Sequence, residues 1–193
     1  MYSERQKQII EESIQIINDK GIQGLTIKNL SHAIGISEPA IYRHFDSKKD
    51  IMSAILNSFQ FEMGEILSKS DESELESAFD VIAMFLNMIF EKLSTNPALV
   101  SVIFSEEFFL NEEYLSDKVF EIFKMKESIM IELIRQGQAD GEIKKDSDAD
   151  MLALVILGSL RMLTKKWKMS NYEFNLKDEG KKLILCMNGL LKK

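Results

Sequence analysis

Thr26-Ile27-Lys28-Asn29-Leu30-Ser31-His32-Ala33-Ile34, then Gly35-Ile36-Ser37, then Glu38-Pro39-Ala40-Ile41-Tyr42-Arg43-His44-Phe45 is the stretch that decides the fold. Thr26 offers a side-chain oxygen to cap a short helix over Ile27–Ile34, and Gly35 is the residue best able to take a left-handed turn after it. Ser37 is placed to cap a second helix, with Pro39 in its first turn where no backbone donor is lost; this helix is expected to reach Phe45. Ile27, Leu30, Ile34, Ile36, Ile41 and Phe45 form the apolar set, and small Ser31 stands where the two helices must cross closely. Two helices of about eight residues joined in this way make a helix-turn-helix. Glu38, Ala40, Tyr42, Arg43 and His44 are left facing outward. A generic helical hairpin shares the spacing.

Working outward, Ile9, Ile10, Ile14 and Ile17 recur at three and four, predicting an amphipathic helix over about Ser3 to Asp19 with Ser3 and Gln6 at capping-box spacing. Ser47 and Asp50 repeat that spacing ahead of a helix from Lys48 towards Leu67, whose inward face includes Ile51, Ile55 and Phe59. The polar cluster Ser68 to Ser73 is the best local boundary. Beyond it, helices are expected at about 74–94, 97–110, 112–140, 148–168 and 176–192, with Asn96, Asn111 and Ser147 as candidate caps. Two prolines and nine glycines in 193 residues are too few for a turn-rich strand fold, so the chain reads as all-α with about nine helices. The expected division is a helix-turn-helix domain over 1–47 and a second helical domain over 48–193.

The net charge is -7. Residues 1–60 balance seven Lys/Arg against seven Asp/Glu, whereas residues 61–193 hold seventeen against twenty-four. A neutral head on an acidic body binds DNA when its cations converge on one face, and the body suppresses indiscriminate association. The single Cys186 rules out an intrachain disulfide and a cysteine-based zinc site. With no basic n-region and apolar stretch after Met1, a cytoplasmic location is expected. The apolar run Met151 to Leu160 is too short for a membrane span, so no membrane partner is expected.

The string Thr26 to Leu30, then Gly35 to Phe45, then Ser47-Lys48 closely resembles the DNA-binding head of the TetR family of one-component transcriptional regulators, over about residues 5–56. Asp140-Gly141-Glu142-Ile143, followed by Asp148 and an apolar helix with Gly158, also resembles the family's passage from its seventh to its eighth helix. Ser31 departs from the alanine usual there; both are small. The resemblance implies a homodimeric, usually repressing regulator that a small ligand releases from DNA.

Residue chemistry assigns the expected DNA contacts. Arg43 can fork onto guanine O6 and N7 or grip a phosphate; both readings stand. Glu38 can accept from cytosine N4 or simply stabilise a helix N-terminus. Tyr42, His44, Thr26 and Lys28 suit phosphate oxygens, and Lys48 adds a cation beside a helix start. Ser37 and Ala40 complete the expected contact surface. An enzyme is the competing class. His32 and His44 are the only histidines, and neither pairs in sequence with Cys186, a carboxylate cluster or a phosphate-cradling loop. No cofactor or metal is expected.

Met151 to Leu163 is apolar on more than one face, more than one core can cover, and Leu183 to Leu191 provides a matching helix; together they predict a homodimer through the last two helices. Phe59, Met84, Phe85, Met88, Phe104, Phe108, Phe123, Met130 and Trp167 are the candidate lining of an effector pocket. Aromatics with flexible methionines can line an adaptable cavity or fill a core, and the family resemblance favours a pocket for an apolar or amphipathic ligand. Glu106 and Glu107 would suit a cationic ligand, Arg135 or Arg161 an anionic one. A third reading keeps the DNA-binding head and makes the body a module for a protein partner.

Overall fold

A computed structural model describes residues 2–58, 77–104 and 113–192. Every regular element among these is a helix, numbered here α1 to α9; the only extended pairing is an isolated antiparallel bridge between Ile143 and Lys192. The chain forms two compact units, Met1–Glu62 with Pro97–Glu121, and Met63–Asn96 with Ile122–Lys193.

In the first unit, α1 spans Glu4–Gly24 behind the expected capping box. Ser3 Oγ accepts from Gln6 N while the Gln6 side chain accepts from Ser3 N. The stripe Ile9, Ile10, Ile14 and Ile17 is buried. Ser13, buried in the same helix, satisfies its hydroxyl on Ile9 O at 2.7 Å. Gly21 breaks the helical run, which resumes to Gly24 beyond the expected end near Asp19.

α2 covers Ile27–Ile34 and α3 covers Glu38–Tyr42. Between them Gly35 takes φ 75°, ψ 34°, a left-handed conformation that costs a residue with a Cβ about 1–2 kcal/mol. The second helix is shorter than its pattern suggested. Ile41 O accepts from both His44 N at 2.9 Å and Phe45 N at 3.1 Å, so the last turn tightens after Tyr42. Ser37 stands at the N-cap without a side-chain capping bond, so its expected capping role is not realised.

Residues 48–58 form α4, burying Ile51, Met52, Ala54, Ile55 and Leu56. Asp50 N donates to Ser47 Oγ at 3.2 Å, but Ser47 Oγ bonds the Asp50 carboxylate at 2.9 Å. This is a variant of the expected box. α6, Ala98–Ile103, packs against α1. Pro97 occupies its N-cap, where its fixed φ suits the entry, and Asn96 instead closes the preceding helix. The expected span to Leu110, the cap Asn111 and the boundary Ser68 to Ser73 lie outside the described residues.

In the second unit, α5 (Ala78–Thr95) starts at Ser77, whose Oγ accepts from Asp80 N, and the Glu142 carboxylate accepts from Ala78 N at 3.1 Å. α7 runs Glu113–Asp140, with its residues up to Glu121 belonging to the first unit and the rest to the second; α8, Ala149–Met169, and α9, Leu176–Leu191, belong to the second. The cap of α8 is Asp148, accepting from Met151 N at 2.9 Å; the proposed Ser147 is instead occupied through its carbonyl by Gln138 Nε2. α9 packs on α5 and α8 around Ile82, Leu86, Phe90, Ile156 and Met187. The Phe90 ring lies so close over Gly180 that a Cβ there would collide with it.

α8 buries Ala149, Ala153, Ile156 and Trp167 on one side and leaves Met151, Leu154, Val155 and Met162 exposed on the other; Leu185 and Leu190 are exposed on α9.

Candidate nucleic-acid interface

The core of the first unit sets which side of the helix-turn-helix faces water. Leu30 and Ile41 are fully buried and Phe45 is 7% exposed, anchoring α2 and α3 from inside. Each such burial contributes roughly 1.5–3 kcal/mol. Ser31, buried at the crossing, donates its hydroxyl to Lys28 O at 3.0 Å, so the small polar residue leaves no unmet donor there. Thr26 Oγ1 accepts from Asn29 N at 3.1 Å, and Asn29 Nδ2 donates to Gly24 O, seating α2 on the end of α1.

The opposite side carries the residues expected to meet DNA. Thr26, Lys28, Ser37, Glu38, Tyr42 and Arg43 are exposed; Ala40, His44 and Lys48 are half-buried. Glu38 opens α3 and Arg43 is its C-cap. His44 is held from behind, its carbonyl accepting from Gln6 Nε2 at 3.2 Å. Partial burial pushes the Lys48 ammonium below the usual lysine range, a shift that a phosphate beside it would oppose. Exposed Lys49 adds a cation at the same helix start. The sequence motif points to Ser47-Lys48 and not to this residue; a count of the cations after the cap finds it.

The candidate effector residues are placed differently. Phe104 belongs to the first unit; Met84, Phe85, Met88, Phe123, Met130 and Trp167 belong to the second. Phe85, Met130 and Trp167 are buried, Met84, Met88 and Phe104 half-buried, and Phe123 is 49% exposed. Phe59 and Phe108, like Glu106 and Glu107, lie outside the described residues. Trp167 has a structural partner, donating from Nε1 to Phe174 O at 2.7 Å with Tyr172 edge-on at 4.7 Å. Arg135 pairs with Asp150 at 3.1 Å. Met88 lines an open cleft of about 660 Å³ between α5 and the start of α9, beside the Lys177–Glu91 ion pair at 3.0 Å.

Residues 9–55 match the model for bacterial regulatory proteins of the tetR family, and residues 59–187 match that for the YsiA-like protein C-terminal region. The fatty acid metabolism regulator protein of Bacillus subtilis is 25% identical over 171 residues, 88% of this chain and 86% of the relative. Two solved structures share the fold. The fatty acid degradation regulator FadR from Bacillus halodurans superposes with a TM-score of 0.83 at 22% identity, covering 98% of this chain and 97% of its own. FadR from Bacillus subtilis in complex with stearoyl-CoA gives 0.77 at 22% identity, covering 94% and 96%.

Proposed function

The chain belongs to the TetR family of bacterial regulatory proteins and is a DNA-binding transcriptional regulator, not an enzyme; from that premise we propose that it is a homodimeric repressor released from a palindromic operator by a long-chain acyl-CoA. The observation that carries the effector class is the likeness to the fatty acid metabolism regulator. It extends over 88% of this chain, well beyond the head and through the part that would hold a ligand. The solved FadR complex with stearoyl-CoA, an amphipathic molecule, supports the same class.

In this reading residues 1–47, together with Lys48 at the boundary, bind DNA, and the rest of 48–193 dimerises and binds the effector. Arg43 reads a base in the major groove, with Glu38, Ser37 and Ala40 beside it; Thr26, Lys28, Tyr42, His44 and Lys48 hold the backbone. The outward apolar stripes of α8 and α9 meet their copies across a two-fold axis as a four-helix interface. Of the candidate pocket residues, those of the second unit, Met84, Phe85, Met88, Phe123, Met130 and Trp167, serve the acyl chain. Phe123 is exposed, and Trp167 is already engaged with the 170–174 loop.

An effector releases DNA only by binding more tightly to an arrangement whose heads no longer match the grooves, and near-complete switching requires a preference of about 10⁴-fold. The test is a stearoyl-CoA titration of the protein bound to a fluorescent duplex that the protein has itself selected. Saturable loss of anisotropy is expected at micromolar concentrations, with octanoyl-CoA far weaker. A complex indifferent to stearoyl-CoA at saturation would refute the effector class.

A further inference from the structure

Residues 2–6 make polar contacts to distant parts of the first unit that no helical period requires. Tyr2 precedes α1, and its hydroxyl accepts from Asn57 Nδ2 at 3.1 Å, at the end of the described part of α4; both residues are half-buried. Gln6, in the first turn of α1, uses both ends of its amide. Its Oε1 accepts from Ser3 N at 3.0 Å to close the capping box, and its Nε2 donates to His44 O at 3.2 Å. His44 lies in the connection between α3, which ends at Tyr42, and α4, which starts at Lys48. One short stretch of chain therefore holds α4 from two sides, just ahead of its start and again at Asn57.

The choice of side chain at position 6 is informative. A glutamate there would close the same capping box and suit the helix N-terminus better, but a carboxylate has no proton to give a carbonyl. The amide is what the second contact, to His44, requires. Buried Ile51, Met52 and Ile55 already seat α4 in the core. Such dispersion contacts change gradually as a helix slides or turns, whereas a hydrogen bond weakens steeply once stretched or bent. A rod held by one directional contact can still pivot, and two contacts set its direction. Residues 48–57 rise about 14 Å along the axis, so a slip at one end becomes a tilt of the whole helix.

We propose that Tyr2 and Gln6 are positioning residues for DNA recognition. They brace α4 and the 43–47 connection against the start of α1, and so fix the angle at which α3 presents its outward side chains. They act through Asn57 and His44. This rests on the proposed reading of Thr26 to Lys48 as the DNA-contacting surface, and its test separates the two. Tyr2→Phe removes the hydroxyl and Asn57→Leu its partner. Gln6→Glu keeps the cap and loses the donor to His44; Gln6→Met loses both without adding charge. Discrimination is read by anisotropy as the ratio of affinities for the duplex the protein itself selects and for one with scrambled half-sites. Hydrogen exchange of 43–48 and 52–58 is followed in the free protein.

Tyr2→Phe and both Gln6 variants are expected to lower discrimination by about two- to tenfold, the equivalent of one net hydrogen bond, with little change on the scrambled duplex. Exchange should quicken over 52–58 in Tyr2→Phe and over 43–48 in the Gln6 variants. Tyr2→Phe combined with Asn57→Leu should lose no more than either alone, as two partners in one contact must. A merely destabilised fold would weaken both duplexes by the same factor, and that result overturns the proposal. So does unchanged discrimination in Tyr2→Phe and Gln6→Met, or a loss confined to Gln6→Glu, which is charge repulsion. If the wild type selects no sequence while exchange still quickens in the two segments, the operator reading fails and the brace stands; unchanged exchange in every variant overturns the brace itself.

Discussion

Arg43 leaves α3 at its C-cap, exposed, next to a residue whose backbone is tied to α1. A guanidinium in that setting has a fixed root and a free fork, the combination that bidentate base reading needs. Arg43→Ala is expected to cost about 1–3 kcal/mol on the preferred operator and to relax preference at one base step, measured by competition among single-base variants. Lys48→Met should instead weaken all duplexes alike and lower the slope of log affinity against log salt by about one. Burial holds the Lys48 pKa low in the free protein, and a neighbouring phosphate favours its charged form. Operator binding should therefore take up protons as pH rises into the lysine range, an uptake that Lys48→Met removes. In the free protein the unfolded chain binds more protons within that window, so the Lys48 contribution to stability grows as pH rises through it.

At the scale of elements, local chemistry was legible at most caps whose partner lies within one helical turn, Ser37 excepted. Ser3 with Gln6, Thr26 with Asn29 and the turn at Gly35 could be read directly, because each depends on residues three or four apart. The reading failed where two residues compete for one post, as Asn96 with Pro97 and Ser147 with Asp148, since composition does not say which carbonyl starts the helix. It also overran α3, because periodicity does not register the tightening at Ile41. Contacts such as Ser101 with Asn18, or Glu142 with Ala78, join residues 83 and 64 apart and leave no periodic trace. The outward side chains of the helix-turn-helix were nonetheless identifiable, being what remains on a short helix once Ile41 and Phe45 are assigned inward. That assignment has an energetic consequence. Ile41→Ala, at a fully buried position shared by α2 and α3, should destabilise the fold by about 2–5 kcal/mol, measured by chemical denaturation.

For the whole molecule, the proposed dimer rests on the outward face of α8. Met151, Leu154, Val155 and Met162 recur at helical spacing opposite the buried side, each more than half exposed in the single chain. A continuous apolar stripe of this kind marks an interaction surface. Leu154→Glu combined with Met162→Glu should convert a dimer into monomers at micromolar concentration by sedimentation velocity, while the helical signal in circular dichroism persists. Operator affinity should fall with it, because a monomer engages one half-site and loses the effective concentration that links two.

Two identical heads related by a two-fold axis must meet two equivalent half-sites, and this ties assembly, recognition helix and operator into one claim. Selection of bound duplexes from a random pool, followed by sequencing, tests it most directly. The account predicts enrichment of an inverted repeat whose half-site centres lie about one helical turn or somewhat more apart, and loss of preference within each half-site for Arg43→Ala. A pool that binds in a salt-sensitive manner yet enriches no sequence, or enriches only a single unrepeated element, would contradict it.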